Sequence, residues 1–196
     1  MGALASAVQS GKALYAGISN YDYETTLRAV EILRELHVPT VINQVRYNIF
    51  DRHIELDGPH DSNDEKPLGL KDAAQKAGIG LITFSPLAQG LLTNRYLDGI
   101  PTDSRVGHDP RFLHESDVKK RHEQIVKLNA LAQDRGQSLA QMALSWILRD
   151  GICGPISSVL IGASKPEQVL DCVKAVENTH FNEDELAVID AIAPVA

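Results

Sequence analysis

One aromatic ring and two small polar groups follow a short apolar segment of the chain. The segment, Ile79–Phe84, is rich in β-branched and aromatic residues and predicts a buried strand. It must end before Pro86, because proline donates no ladder hydrogen bond. Phe84, Ser85 and Gln89 are therefore expected at the carboxyl end of a strand, where parallel α/β proteins bind ligands. Phe84 suits stacking on a flat ring, and the alternative is a place in the core.

A second stretch, Ser157–Gln168, combines a strand, a Gly-Ala-Ser turn and the start of a helix. The first N–H groups of a helix lack intrahelical partners and lie at the positive end of its dipole. Gly162 would let a ligand approach the backbone, while Ser164 and Lys165 add a hydroxyl and a positive charge. The stretch predicts a phosphate site, and the alternative is an ordinary capped strand–helix turn.

Five further residues are candidates for polar contacts with a ligand. Gln44 lies within a predicted strand, so its amide either holds a ligand carboxamide or needs an internal partner. Ser19 and Asn20 end the preceding strand, where they either hold the same ligand group or act only as caps. Arg95 and Arg105 lie in or beside a long irregular stretch, where they either reach a phosphate or are solvated.

The titratable residues do not form a catalytic or metal-binding pattern. The 7 histidines do not occur at metal-ligand spacing, and no Ser-His-Asp or Cys-His arrangement is supported by the sequence. The sequence therefore predicts no metal site and no catalytic residue. The 2 cysteines, Cys153 and Cys172, are far apart, which favours a reducing cytoplasm.

Composition excludes several classes of function. The chain has 196 residues, is 43% hydrophobic and carries a net charge of −7, which suits a single domain over residues 1–196. The acidic balance and the lack of a basic cluster argue against nucleic-acid binding. No run of 18 apolar residues predicts a membrane span.

The elements that position the candidate residues alternate along the chain. Strands are predicted at Ala13–Ile18, Val41–Val45, Ile79–Phe84 and Ser157–Ile161, each with a helical segment before or after it. This order predicts parallel pairing with helical crossovers and thus the α/β class. Residues 57–67 and 97–115 are predicted to be exposed loops.

Helix faces and helix starts are also predicted. Two apolar sets should face inward: Leu139, Met142, Ala143 and Trp146, and Val169, Leu170, Val173 and Val176. N-terminal caps are predicted at Asp22 and at three capping boxes: Ser138 with Gln141, Ser164 with Glu167, and Asn182 with Glu185.

Several motifs occur in a fixed order over nearly the whole chain: GKALYAGISNY, NQVRYN, TFSPLAQGLLTNRYLDGIP, DSR, AQMALSWIL and SSVLIGAS. Together they resemble the aldo-keto reductases, in particular the branch with the bacterial glyceraldehyde-type reductases and the potassium-channel β subunits. The resemblance implies a (β/α)8 TIM barrel, of which this chain would supply only the second half, strands 5–8 with their helices. It also implies NADPH-dependent reduction of aldehydes and ketones.

The resemblance implies a role for each candidate residue. Ser19, Asn20 and Gln44 would hold the nicotinamide amide, and Phe84 would stack on the nicotinamide ring. The other contacts would be to the pyrophosphate (Ser85, Pro86, Leu87, Ala88, Gln89, Arg95, Arg105), to the adenosine 2′-phosphate end (Gly162, Ser164, Lys165, Gln168) and near the adenine (Asp171, Cys172). At the last two positions the family usually has Glu and Asn.

The family's catalytic Tyr, Lys, Asp and His come from the first four strands, so the resemblance assigns no catalytic residue here. The first hypothesis is the cofactor-binding half of an NADPH-dependent reductase, inactive as an isolated chain, whose complete form acts on a small-molecule carbonyl compound. The alternatives are a non-catalytic NADP-binding or interaction module and an unrelated phosphate-binding α/β protein. Two unpaired strand edges further predict a homo-oligomer or poor solubility.

Overall fold

The computed structural model describes residues 1–59, 67–102, 104, 106, 113–151 and 154–195. Its strands are β1 (Ala16–Ser19), β2 (Thr40–Arg46), β3 (Gly80–Phe84) and β4 (Ile156–Val159). Its α-helices are α1 (Gly2–Gln9), α2 (Tyr23–Glu35), α3 (Leu70–Ala77), α4 (Glu115–Asp134), α5 (Leu139–Ile147), α6 (Pro166–Val173) and α7 (Glu183–Ile192). Short 3₁₀ helices cover His53–Glu55, Ala88–Gly90, Asn94–Tyr96 and Lys174–Glu177.

The four strands form one parallel sheet in the order β1-β2-β3-β4. Parallel neighbours need a crossover connection, and the helices between the strands provide it. The predicted α/β class with parallel pairing is therefore confirmed. The assignment of these strands to positions 5–8 of an eight-stranded barrel stays a prediction.

The chain divides into two compact units, each built from interleaved segments. The first unit comprises residues 1–47, 52–84 and 152–160, and the second comprises 48–51, 85–151 and 161–196. Because neither unit is one continuous segment, the units are not successive domains along the sequence. The single domain over residues 1–196 stays a prediction.

The first unit packs helices against its sheet. Leu33 of α2, Ala73 and Ala74 of α3 and Leu81 of β3 are completely buried. A smaller cluster joins Ala5 of α1 to Leu33 and its neighbours. These apolar contacts hold the strands whose ends carry candidate residues.

The second unit is mainly helical. Leu128 and Ala132 of α4 are buried, and Met142 and Trp146 of α5 are buried as their spacing predicts. Arg135, which follows α4, forms an ion pair with Glu185 of α7 at 2.6 Å, and its own side chain is only 4% exposed. This guanidinium also lies 3.6 Å from the centroid of the Phe181 ring, so it stabilises the packing by charge and by stacking.

The predicted helix starts are confirmed in three cases and wrong in one. Asp22, Ser138 and Asn182 cap α2, α5 and α7 through their side chains. The box predicted at Ser164 and Glu167 is displaced by one residue, because α6 has Lys165 as its N-cap and Gln168 at the third helical position. Pro166 then takes the first helical position, which its fixed φ favours.

The predicted inward face of α6 is wrong. Val169, Leu170 and Val173 are 42%, 66% and 58% exposed, and Val176 beyond the helix is 64% exposed. The helix instead buries Cys172, and Ala175 is buried after it. Apolar spacing identifies a face that can be buried, but a packing layer must be present to cover it.

The two predicted loops are partly described. Two backbone hydrogen bonds join the ends of the first loop: Gly58 N–H donates to Leu68 O, and Leu68 N–H donates to Pro59 O. Ser104 and Leu113 of the second are buried. Within the described ranges, every helix is too short or too polar to cross a lipid bilayer.

The first testable prediction concerns the cap of α2. Asp22 Oδ1 accepts a hydrogen bond from Thr25 N at 2.8 Å, and hydrogen bonds from Thr25 lower the Asp22 pKa below its ordinary value of 3.8. Asp22→Ala should lower the free energy of unfolding by about 1 kcal/mol at neutral pH. Because the folded-state pKa is depressed, this contribution is present above 3.8 and disappears as the pH falls through the lowered value.

Urea unfolding of the native chain, Asp22→Ala and Asp22→Asn at neutral and acidic pH measures this contribution. Asparagine caps about as well as aspartate but does not titrate, so Asp22→Asn should show no acid-dependent loss from this site. Equal unfolding midpoints for the native chain and Asp22→Ala at neutral pH would contradict the prediction.

Candidate functional site

One face of the sheet in the first unit carries three of the candidate residues. Ser19 pairs in register with Gln44, and Phe84 pairs with Arg46. Gln44 and Arg46 are two residues apart in one strand, so they point to the same side, and their register partners in parallel strands do too. Ser19, Gln44 and Phe84 therefore share a sheet face at the carboxyl ends of β1, β2 and β3.

The turn after β1 is held by hydrogen bonds to β2. Asn20 has a left-handed backbone, with φ of 56°, which asparagine tolerates better than most residues. The carbonyl oxygen of Gln44 accepts Asn20 N–H at 2.9 Å and the Ser19 hydroxyl at 3.0 Å. The buried Asn43 donates its side-chain Nδ2 to Tyr21 O at 2.9 Å. The position of Asn20 is thus set by its neighbouring strand.

Phe84 and Asn20 also line a pocket of about 350 Å³, which we call the Phe84 pocket. Its other lining residues are Tyr21, Asp22, Val45, Arg46, His53 and Asp57. Burial raises the pKa of the Asp57 carboxyl, the charge of His53 opposes this shift, and the charge of Asp22 adds to it. Sequence reasoning missed His53 and Asp57, since nothing in their spacing connects them with Phe84.

The second unit contains a turn with an uncommon backbone. Ser85, Ala88 and Gln89 are non-glycine residues with positive φ, at 52°, 47° and 60°. Each such residue costs roughly 1–2 kcal/mol, and such strain is found mainly at functional sites. Leu87, with φ of −99°, precedes Ala88, and this alternation of sign resembles the backbone nests that bind anions. We call Ser85–Gln89 the anion turn.

At the N-terminus of α6, three hydrogen-bond donors share one acceptor atom. Gln168 Oε1 accepts Ser164 N at 2.8 Å, Ser164 Oγ at 3.2 Å and Lys165 N at 3.3 Å. Ser164, Lys165 and Gln168 are exposed, and a Cβ added at Gly162 would meet no atom within 4 Å. A phosphate oxygen has the acceptor chemistry that these donors require, so the group fits a phosphate once Gln168 moves aside.

The remaining candidates of the second unit have internal contacts. Asp171 accepts Ser138 Oγ at 3.0 Å and Gln141 Nε2 at 2.6 Å. Cys172 is only 8% exposed, and burial, with a contribution from the charge of Asp171, raises the pKa of its thiol. Arg95 is half-buried in a 3₁₀ helix, and Arg105 lies outside the described residues. A ligand-binding role for these four residues stays a prediction.

The candidate residues therefore fall into two sets. The first unit brings together Ser19, Asn20, Gln44 and Phe84, with a flat ring, an amide and a hydroxyl. The second unit contains the anion turn and the donors at the start of α6. The first set suits a carboxamide-bearing aromatic group, and the second suits phosphate groups.

Comparison with known proteins gives a family. The model of the aldo/keto reductase family matches residues 1–194. The chain is 47% identical to the L-glyceraldehyde 3-phosphate reductase of Escherichia coli strain K12 and 46% identical to that of Escherichia coli O157:H7. Each match covers 96% of this chain and 51% of the relative, so the chain spans about half the length of these curated relatives.

The second testable prediction concerns backbone strain in the anion turn. Ala88→Gly should raise the free energy of unfolding by about 0.5 kcal/mol, because relief of left-handed strain exceeds the added entropy of the unfolded chain. The control, Ala130→Gly at an exposed position within α4, should lower it by about 1 kcal/mol. Denaturant unfolding measures the change in the free energy of unfolding for each variant. A loss of stability in both variants would contradict a left-handed backbone at Ala88.

Proposed function

Because the chain belongs to the aldo/keto reductase family, we propose that it forms the cofactor-binding part of a reductase that uses NADPH to convert an aldehyde or ketone into an alcohol. The observation that carries this proposal is the family match over residues 1–194. The two structural sets of candidate residues support it, since NADPH contains a carboxamide-bearing ring and several phosphates. Bound in such a site, NADPH supplies the hydride for reduction.

The first set would bind the nicotinamide end. Phe84 offers a ring for stacking, and the amide of Gln44 offers both a donor and an acceptor for the nicotinamide carboxamide. The shared sheet face of these residues supports this assignment. The hydroxyl of Ser19 already donates to Gln44 O, so its role would be to orient the strand end or to accept from the ligand.

The second set would bind the phosphates. The anion turn would line the pyrophosphate, and the α6 start would hold the 2′-phosphate that distinguishes NADPH from NADH. The chemistry supports this, because charge-assisted hydrogen bonds to phosphate are stronger than the neutral bonds that Gln168 accepts. Lys165 is the side chain in this group that carries a positive charge.

We further propose that the 196-residue chain binds NADPH but does not reduce a carbonyl compound unaided. Reduction also requires a proton for the carbonyl oxygen, and general acids typically contribute about 10²–10⁴-fold in rate. None of the cofactor-binding residues proposed above supplies that proton. Binding without turnover is therefore the expected behaviour. The alternative is a non-catalytic NADP-binding or interaction module.

The third testable prediction examines cofactor binding by NADPH fluorescence. The native chain should enhance NADPH emission, and Phe84→Leu should weaken the affinity about fivefold through loss of ring stacking. Phe181→Leu is the matched control, because that ring stacks on Arg135 in the protein interior and should leave the affinity unchanged.

Two outcomes would count against the proposed function. The absence of any fluorescence change when NADPH is added to the folded native chain would refute cofactor binding. Absorbance at the NADPH band, followed with L-glyceraldehyde 3-phosphate as the carbonyl substrate, reports turnover. Consumption of NADPH by the native chain alone would refute the predicted lack of activity.

The fourth testable prediction addresses the choice between NADPH and NADH. Lys165→Ala should weaken NADPH binding about tenfold and leave NADH binding unchanged, because only NADPH carries the 2′-phosphate. Lys174→Ala removes an exposed positive charge from a neighbouring 3₁₀ helix and should change neither affinity. Equal losses for both cofactors, or for both variants, would assign the effect of Lys165 to general electrostatics.

A further inference from the structure

Asn48 is a buried asparagine with a hydrogen bond to the anion turn. It is 3% exposed, and its side-chain Nδ2 donates to Ser85 O at 3.0 Å. Its Oδ1 accepts Phe50 N–H at 2.9 Å. The two residues are 37 positions apart in sequence, so this contact joins two separate segments of the second unit.

The side chain of Asn48 is itself held in place. Asn48 N–H donates to Asp51 O at 3.1 Å, and Asp51 N–H donates back to Asn48 O at 3.0 Å. These bonds close a tight turn over residues 48–51. With Oδ1 engaged by Phe50, the amide has one orientation, in which Nδ2 faces the Ser85 carbonyl.

The carbonyl of Ser85 lies where the anion turn begins. It accepts Ala88 N–H at 3.1 Å in addition to the Asn48 amide. Ser85 combines a φ of 52° with a following proline, and both restrict its backbone. A fixed carbonyl direction at Ser85 fixes the Ser85–Pro86 peptide plane, and the restricted φ of Pro86 carries this constraint towards the N–H of Leu87. Within the described part of the chain, the Leu87 N–H donates no hydrogen bond.

We propose that Asn48 is a positioning residue, which orients the Ser85 carbonyl and so presents the Leu87 N–H of the anion turn to the pyrophosphate of the cofactor. This proposal rests on the proposed function of that turn. Asn48 does not touch the ligand, and it acts only through the backbone of Ser85. Its effect should therefore be the same for every ligand that carries the pyrophosphate.

Asn48→Asp removes the donor and adds one negative charge, as the control described below also does. An ionised carboxylate still accepts Phe50 N–H but cannot donate to Ser85 O, so the shape of the side chain is kept while one hydrogen bond is lost. We expect NADPH and NADH affinities of the full 196-residue chain to fall by the same factor, about tenfold, at neutral pH. Protonation of the introduced carboxyl restores a donor, so both affinities should recover as the pH falls.

Gln137→Glu is the matched control. Gln137 is also buried in the second unit, where its Nε2 donates to Ser145 Oγ at 2.9 Å and its Oε1 accepts Arg135 Nε at 2.9 Å. The substitution removes an internal amide donor and keeps the acceptor, as Asn48→Asp does. The NADPH and NADH affinities of Gln137→Glu should equal those of the native chain. Fluorescence titration, carried out under conditions in which each variant is folded, measures these affinities.

The outcomes separate this proposal from the proposed function. If the native chain binds NADPH and Asn48→Asp binds it equally well, Asn48 has no positioning role, while the proposed function stands. Equal weakening in Gln137→Glu, or a loss for NADPH that NADH does not share, would also overturn the proposal. No NADPH binding by the native chain would instead refute the function on which it rests.

Discussion

In the parallel sheet of the first unit, the register between β2 and its two neighbours determines which side chains reach the same surface. Ser19, Gln44 and Phe84 share a face because Ser19 pairs with Gln44 and Phe84 pairs with Arg46. A slip of one residue would turn Gln44 towards the helices and bring buried Asn43 and Val45 to the opposite side. The candidate nicotinamide residues thus depend on strand pairing more than on any contact among themselves.

Two buried asparagines hydrogen-bond to the turns that follow the strands. Asn43 donates to Tyr21 O in the first unit, and Asn48 donates to Ser85 O in the second. A buried amide that loses its partner costs about 1–3 kcal/mol, so each interaction strongly favours one conformation of the turn it contacts. Each turn contains a residue with positive φ, Asn20 in one and Ser85 in the other. A backbone in this conformation persists only where the surrounding structure holds it.

At the start of α6, the protein itself satisfies the donors of the proposed phosphate site. Gln168 Oε1 accepts from Ser164 and Lys165, as an anion oxygen would. In the proposed complex, a ligand phosphate would replace this neutral acceptor, so the net gain in binding free energy would be the difference between two sets of hydrogen bonds. Its negative charge gives the phosphate the advantage, because hydrogen bonds to charged acceptors are stronger.

The amino-acid sequence by itself determined the order and type of the elements, three of the four predicted helix caps, the buried faces of α4 and α5, and the family. These features depend on local spacing and on side chains within one turn of each other. The sequence misplaced the cap of α6 by one residue, because Ser164 is a preferred capping residue but Pro166 takes the first helical position and leaves Lys165 as the N-cap. Only the tertiary structure decided that Val169 and Leu170 are exposed, that Asp57 and His53 line the Phe84 pocket, and that Asn48 holds Ser85. Each of these depends on segments distant in sequence, and spacing along one chain carries no information about which distant segment packs against it.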